Sequence, residues 1–424
     1  MNRLIAAVFV CLLSTPAFAD EPRRELIATW LDDRLVERHM PWGIVIDPVY
    51  AAPDSEEIVS YTRCGDSAIW TGHYLAAQAY RWNVTRDERA RENIMAALNG
   101  IRKLLDVTGT EVLARCVVPV DSPYAADLTS EESRHGIHVG LVDGIPHFWV
   151  GNTSRDQYLG VFFGLTAAWQ MVDDQLVHDW VSMLATRILN SLLASNWNIH
   201  MPGGETSTTF LHRPDQQLAL LKLGRRCNPA RFQSAYQVRA NTFATSVMAP
   251  IAVEIRDPHN SYFKFNLSHI AFYNLLTSGD NWWVRTQYHA AFRLLRNATW
   301  QHDNAFFDII ETAIQGNDEG RDARIRRLMD EYLDRPRRDV WTDLRPIYPS
   351  CEGDDNRGCE IVPVAQRVPT DFLWQRSPFQ LWGGLYGTIE SAAIDYILPY
   401  WMARFHGVIP PDPTPESSAS LLPK

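Results

Sequence analysis

Apolar positions recur along this chain at three- and four-residue spacing, and hardly anywhere at the alternate-residue spacing of a half-buried strand. Segment 21–40 carries Leu26, Ile27, Trp30, Leu31 and Leu35 on one stripe, which predicts a helix. Helices over 66–82 and 87–106 follow, joined by a turn around Asn83, Val84 and Thr85 short enough to force an antiparallel hairpin. The pattern repeats over 155–172 and 175–194. Further helices are predicted over 215–223, 229–249, 266–277, 281–296, 303–315, 318–333 and 384–406. Segments 107–152, 196–213 and 335–380 lack periodicity, and loops of that length in a compact chain usually carry function.

The predicted helices are of two kinds. Those opening at Asp66, Arg155, Asp215, Asn266, Asp303 and Gly384 are rich in aromatic and small residues, whereas partners such as 87–106 and 318–333 have one charged face. This alternation predicts an all-α fold, an (α/α)6 toroid: about twelve helices in two concentric rings of six, with long loops over one face.

Two stretches share a grammar of polar residues at a helix start followed by small and aromatic ones. The first runs Gly65, Asp66, Ser67, Ala68, Ile69, Trp70, Thr71, Gly72, His73, Tyr74; the second runs Ser154, Arg155, Asp156, Gln157, Tyr158, Leu159, Gly160. On these residues the chain resembles the six-hairpin glycosidase superfamily over roughly residues 55 to 405, without matching one particular family in it. The resemblance implies a toroid, a carbohydrate substrate and paired aspartates on toroid helices, to which Asp66 and Asp156 would correspond.

The start of the chain reads as a cleavable export signal, residues 1–19. Arg3 precedes the apolar run Leu4 to Leu13, and Ala17, Phe18 and Ala19 form a small-x-small site before Asp20. That run is too short to span a bilayer. A periplasmic or secreted protein without stable membrane insertion is expected: one domain over 20–407, then a disordered Pro- and Ser-rich tail over 408–424. The 424 residues carry 40 basic and 50 acidic side chains, net charge −10, which disfavours a nucleic-acid partner. Five of the six cysteines lie beyond the signal; Cys351 with Cys359 is the first expected disulfide and Cys64 with Cys116 the second. No cysteine–histidine spacing suggests zinc, and neither metal nor cofactor is expected.

If the inner helices aim their N-termini at a shared cavity, their partial positive charges favour an anionic ligand, hence an acidic sugar. Glycoside hydrolysis needs one protonated and one ionised carboxyl group; Asp156 is the expected donor and Asp66 its partner. The competing reading of each is a plain helix N-cap. Arg155 and Arg213 would clamp a carboxylate, with Gln157 and His73 beside them, and Trp70, Tyr74, Tyr158 and Trp149 would offer stacking faces. Trp374 and Trp382 precede the last inner helix, where they would line the cavity and stack on sugar or else pack the core, and Trp374 is counted among the expected substrate contacts. A lyase or epimerase would instead use Asn266, His269 and Tyr273, which share one helical face at i, i+3 and i+7. The loop residues His135, His138, His147 and Asp143 read as solvated. A toroid that binds glycan or a partner without catalysis is the third reading.

Overall fold

The computed structural model describes residues 24–257 and 261–412. The expected signal segment and most of the expected tail therefore lie outside the described residues. Val408 and Ile409 are buried, and Asp412 accepts from the Glu25 amide at 2.9 Å, so packed chain extends to that point.

Helix α1 (Arg24–His39) is followed by a hairpin of α2 (Ser67–Thr85) and α3 (Glu88–Asp106). The short α4 (Ala125–Glu131) precedes a second hairpin, α5 (Arg155–Met171) with α6 (Gln175–Ala194). Next come α7 (Pro214–Cys227), α8 (Pro229–Phe243), the short α9 (Met248–Glu254), α10 (Lys264–Leu276) and α11 (Trp282–Thr299). The last are α12 (Ala305–Gln315), α13 (Glu319–Leu333) and α14 (Ile394–Phe405). Helices α2, α5, α7, α10, α12 and α14 each pack on the next, and α14 returns to α2, closing a ring. Around it lie α3, α6, α8, α11, α13 and α1, each against an inner helix. The two rings of six expected from the alternation of helix types are thus present among the described residues. None of these helices is long and apolar enough to cross a membrane.

The inner helices run parallel, as the pairs Ile69 with Gly160 and Asn83 with Met171 show for α2 and α5. These two approach so closely that a Cβ on Gly72 would lie 2.1 Å from the Gly160 carbonyl oxygen, and one on Gly164 2.2 Å from that of Gly72. Only glycine allows that approach.

Several expectations need correction. Helix α2 runs through 83–85, and the turn is Arg86, at φ 56°, followed by Asp87, whose carboxylate caps α3 by accepting from the Arg89 amide at 3.0 Å. The helix expected over 229–249 breaks after Phe243 and resumes as α9. The helix expected over 384–406 begins only at Ile394; residues 384–390 are strand, because Gly383, Gly384 and Gly387 are poor helix formers and Gly384 lies at φ +100°.

Strands are also commoner than the near-absence expected. A four-stranded sheet has the order β2 (Ile58–Thr62), β1 (Asp47–Tyr50), β11 (Trp382–Glu390), β8 (Arg338–Asp343). In segment 107–152, β3 (Cys116–Pro119), β5 (Ile145–Val150) and β4 (Ile137–Val142) form a second sheet. Two ribbons, β6 (Asn198–His200) with β7 (Thr206–Thr209) and β9 (Ser350–Cys351) with β10 (Asp354–Gly358), complete the set among the described residues. Loops this long must pair their backbone amides, and short antiparallel sheets do so. Both expected disulfides are formed: Cys64–Cys116 and Cys351–Cys359, with Cα separations of 5.6 and 4.9 Å.

Candidate functional site

At the N-terminal end of the ring the axis is filled rather than open. Trp374 is fully buried, its ring centroid 4.6 Å from Phe306 and 5.3 Å from His73, and Phe372 lies 4.7 Å from Trp70. Open space lies to one side of this plug, in a pocket of about 320 Å³ over the start of α2. Asp66, Trp70, Arg115, Glu132, His135 and Asp371 are in its wall, with Arg63, Arg134 and Arg376 supplying further positive charge.

Asp66 ends a tight turn, Cys64–Asp66, tied by the Cys64 disulfide to the start of β3. It holds the N-cap position of α2 but its side chain makes no capping bond. The first amides of α2 find other partners: Ala68 donates to the Arg115 carbonyl at 3.0 Å and Ile69 to Gln157 Oε1 at 3.0 Å. Gln157 Nε2 donates to Asp66 Oδ1 at 3.1 Å, and Arg115 Nη1 lies 3.6 Å from the same oxygen. Enclosure by the pocket wall, and then the negative charge of Asp156, raise the Asp66 pKa to about 6; Arg115 and Gln157 oppose that rise.

Arg115 is fixed from every side. It donates to the carbonyls of Gly65 and Asn152 at 2.9 and 3.0 Å and to Ser154 Oγ at 2.6 Å. Ser154 in turn donates to Asp156 Oδ1, so Asp156 sits behind the pocket wall and not in it. The expected donor, Asp156, and its expected partner, Asp66, are thus brought close, yet of the two only Asp66 lines the cavity.

A second titratable pair faces the same cavity. Glu132 Oε1 accepts from the Gly65 amide at 2.7 Å, and its Oε2 lies 2.6 Å from His135 Nδ1, which orients the imidazole. A Cβ on Gly65 would lie 2.8 Å from Glu132 Oε2, so glycine is what admits the carboxylate. Asp371 pairs with Arg376 at 2.5 Å and lies 3.7 Å from Arg63, which also holds Asp47 at 3.1 Å.

The other expected site residues are elsewhere. Arg213 is engaged by Asp215 at 2.7 Å and Glu254 at 2.6 Å, and Arg155 donates to the Thr209 carbonyl at 2.9 Å. Tyr158 is buried and its hydroxyl accepts from the Leu113 amide at 3.1 Å; Tyr74 is buried beside Asp32 of α1. His73 is fully buried, donates from Nδ1 to the Ile69 carbonyl at 2.9 Å and accepts at Nε2 from Asn266 at 3.3 Å. Burial lowers its pKa to about 4, so it packs the core as neutral imidazole. His269 is stacked on Phe307 at 3.9 Å and Tyr273 is bonded to Tyr80 at 2.6 Å, which removes the Asn266, His269, Tyr273 face from solvent. Of the loop residues, His138 stacks on Trp149 at 4.3 Å and Asp143 pairs with Arg102 at 2.7 Å. Trp382 lies 5.8 Å from Trp341 on the β8–β11 surface. Among the described residues no cluster of His, Cys, Asp and Glu is arranged to hold a metal ion.

Glu132, His135, Arg115 and Asp371 were not legible as site residues. The available signals were weak: the i, i+3 spacing of Glu132 and His135, and the position of Arg115 beside a cysteine that could bridge to Cys64.

No protein-family profile and no curated protein sequence matches the chain. Among solved structures, cellobiose 2-epimerase from Spirochaeta thermophila aligns over 92% of this chain and 99% of its own, at 9% identity and a TM-score of 0.42.

Proposed function

We propose that the chain is an exported carbohydrate-active enzyme that hydrolyses a glycosidic bond, with Asp66 as proton donor. The observation that carries this reading is the Asp66 carboxyl group, raised to about 6 in a polar pocket that also contains the Asp371 carboxylate. An acid of that kind gives its proton to the departing glycosidic oxygen, while a second carboxylate assists at the anomeric carbon. Asp156 then acts from behind, its charge keeping the proton on Asp66. Arg134, the pocket guanidinium with no ion pair among the described residues, suits a sugar bearing a carboxylate, and Trp70 supplies an aromatic wall. The two disulfides suit an oxidising compartment. Screening acidic oligosaccharides with the wild type and Asp66→Asn tests the reading. Turnover lost in the variant with binding retained supports it; equal turnover removes Asp66 from the chemistry.

The Glu132–His135 pair favours a second reading, in which His135 takes a proton from a carbon next to a carbonyl or carboxylate, as a lyase or epimerase requires. A product absorbing in the ultraviolet, or solvent deuterium appearing in recovered sugar, would select it over hydrolysis.

A further inference from the structure

A groove of about 530 Å³ lies away from the Asp66 pocket and shares no residue with it. Its wall is largely apolar, including Leu211, Phe243, Pro250 and Val253, of which Val253 is 65% exposed. Its polar members are Asn196, His212, Ser246, buried Gln217 and part-buried Arg239, of which Arg239 alone is a fixed cation. The Arg239 guanidinium rests over the Trp197 ring, 4.9 Å from its centroid. Burial lowers its pKa, and no carboxylate or hydrogen-bond acceptor among the described residues meets it. Nearby Arg213, by contrast, is held by two carboxylates.

A part-buried cation without a counter-charge costs free energy that an anionic ligand would recover. Apolar side chains left facing water beside it would gain from covering by a hydrocarbon body. We propose that this groove binds a free amphiphilic carboxylate, its head on Arg239 and its acyl or aryl body along Leu211, Phe243, Pro250 and Val253. One guanidinium fork matches one carboxylate, and the groove is within the size range of small-ligand sites.

Sodium octanoate is the probe, and the neutral 1-octanol its control, in calorimetric titrations of the whole protein. Saturable one-to-one octanoate binding is expected, weakened about tenfold or more in Arg239→Met and less in Arg239→Lys. Octanol should bind more weakly and be indifferent to both changes. Val253→Asp, at an exposed position, should also repel octanoate and serves if Arg239→Met fails to fold. Absence of saturable octanoate binding, equal affinity for octanol, or octanoate affinity unchanged in both Arg239→Met and Val253→Asp would overturn the proposal. So would Arg239-dependent sedimentation with phosphatidylglycerol vesicles in the absence of octanoate binding, which would assign the groove to a lipid surface.

Discussion

Gln157 and Asp66, ninety-one positions apart, share one hydrogen bond at 3.1 Å, and through it α5 takes over a task that α2 would ordinarily perform itself. The aspartate occupies the N-cap position, but Gln157 Oε1 caps the Ile69 amide in its place. The Asp66 carboxylate is thereby free to face the pocket. An N-cap carboxylate bound to its own helix would be held ionised; this one is not so bound and its pKa rises to about 6.

Activity that needs Asp66 as an acid should be present below about pH 6 and fall as pH rises through that value. A carboxyl group of unfolded chain titrates near 4, so the folded state holds this proton more tightly between the two values. The contribution of Asp66 to stability is accordingly full below about pH 4 and lost as pH rises through 6. Asp66→Asn should remove both dependences, which pH–rate profiles and urea melts at pH 4 and 7 would read.

Gln157→Met keeps the volume and removes both hydrogen bonds. It leaves the Ile69 amide buried without an acceptor, so a loss of about 1–3 kcal/mol is expected in denaturant melts. It also removes a bond that lowers the Asp66 pKa, so the alkaline limb of the rate profile should move to higher pH. A limb that stays in place or moves down would contradict the pairing.

Gly72→Ala should cost about 1–3 kcal/mol, because the new methyl group meets the Gly160 carbonyl and the two helices cannot part without opening the ring. Gly279→Ala, where a Cβ would meet nothing within 4 Å, is the control. Thermal melts decide between them.

Reduction of the Cys64–Cys116 bridge should lower stability by about 2–4 kcal/mol and depress activity, since its neighbours Gly65 and Arg115 hold Glu132 and Asp66. Mass spectrometry without reductant should show both bridges, a free Cys227 and, in exported protein, an N-terminus at Asp20. Bridged protein that loses nothing on reduction would exclude the disulfide from the site.

The positions of α2, α5, α6 and α11 were legible because apolar periodicity and local caps act within a few residues of one another. Asp174 caps α6 and Asn281 caps α11 through bonds to amides two or three positions on. Strand β11 was not legible: its residues are extended because β1 and β8, from distant parts of the chain, flank it. Its glycines alone argue only against helix.

The helical ring follows from periodicity alone, since alternating apolar and half-charged helices can bury their faces in few other ways. The cysteine pairs were also legible, and the sequence singled out Asp66 as a candidate. The chemistry open to Asp66 is set instead by contacts across the fold. Its charge depends on Asp156, Arg115 and Gln157, and its pocket on Glu132, His135 and Asp371, none of which is placed by a local pattern. Burial likewise turned His73, His269 and Trp374 from expected ligand contacts into core packing, because a side chain's access to solvent is set by what packs on it from elsewhere.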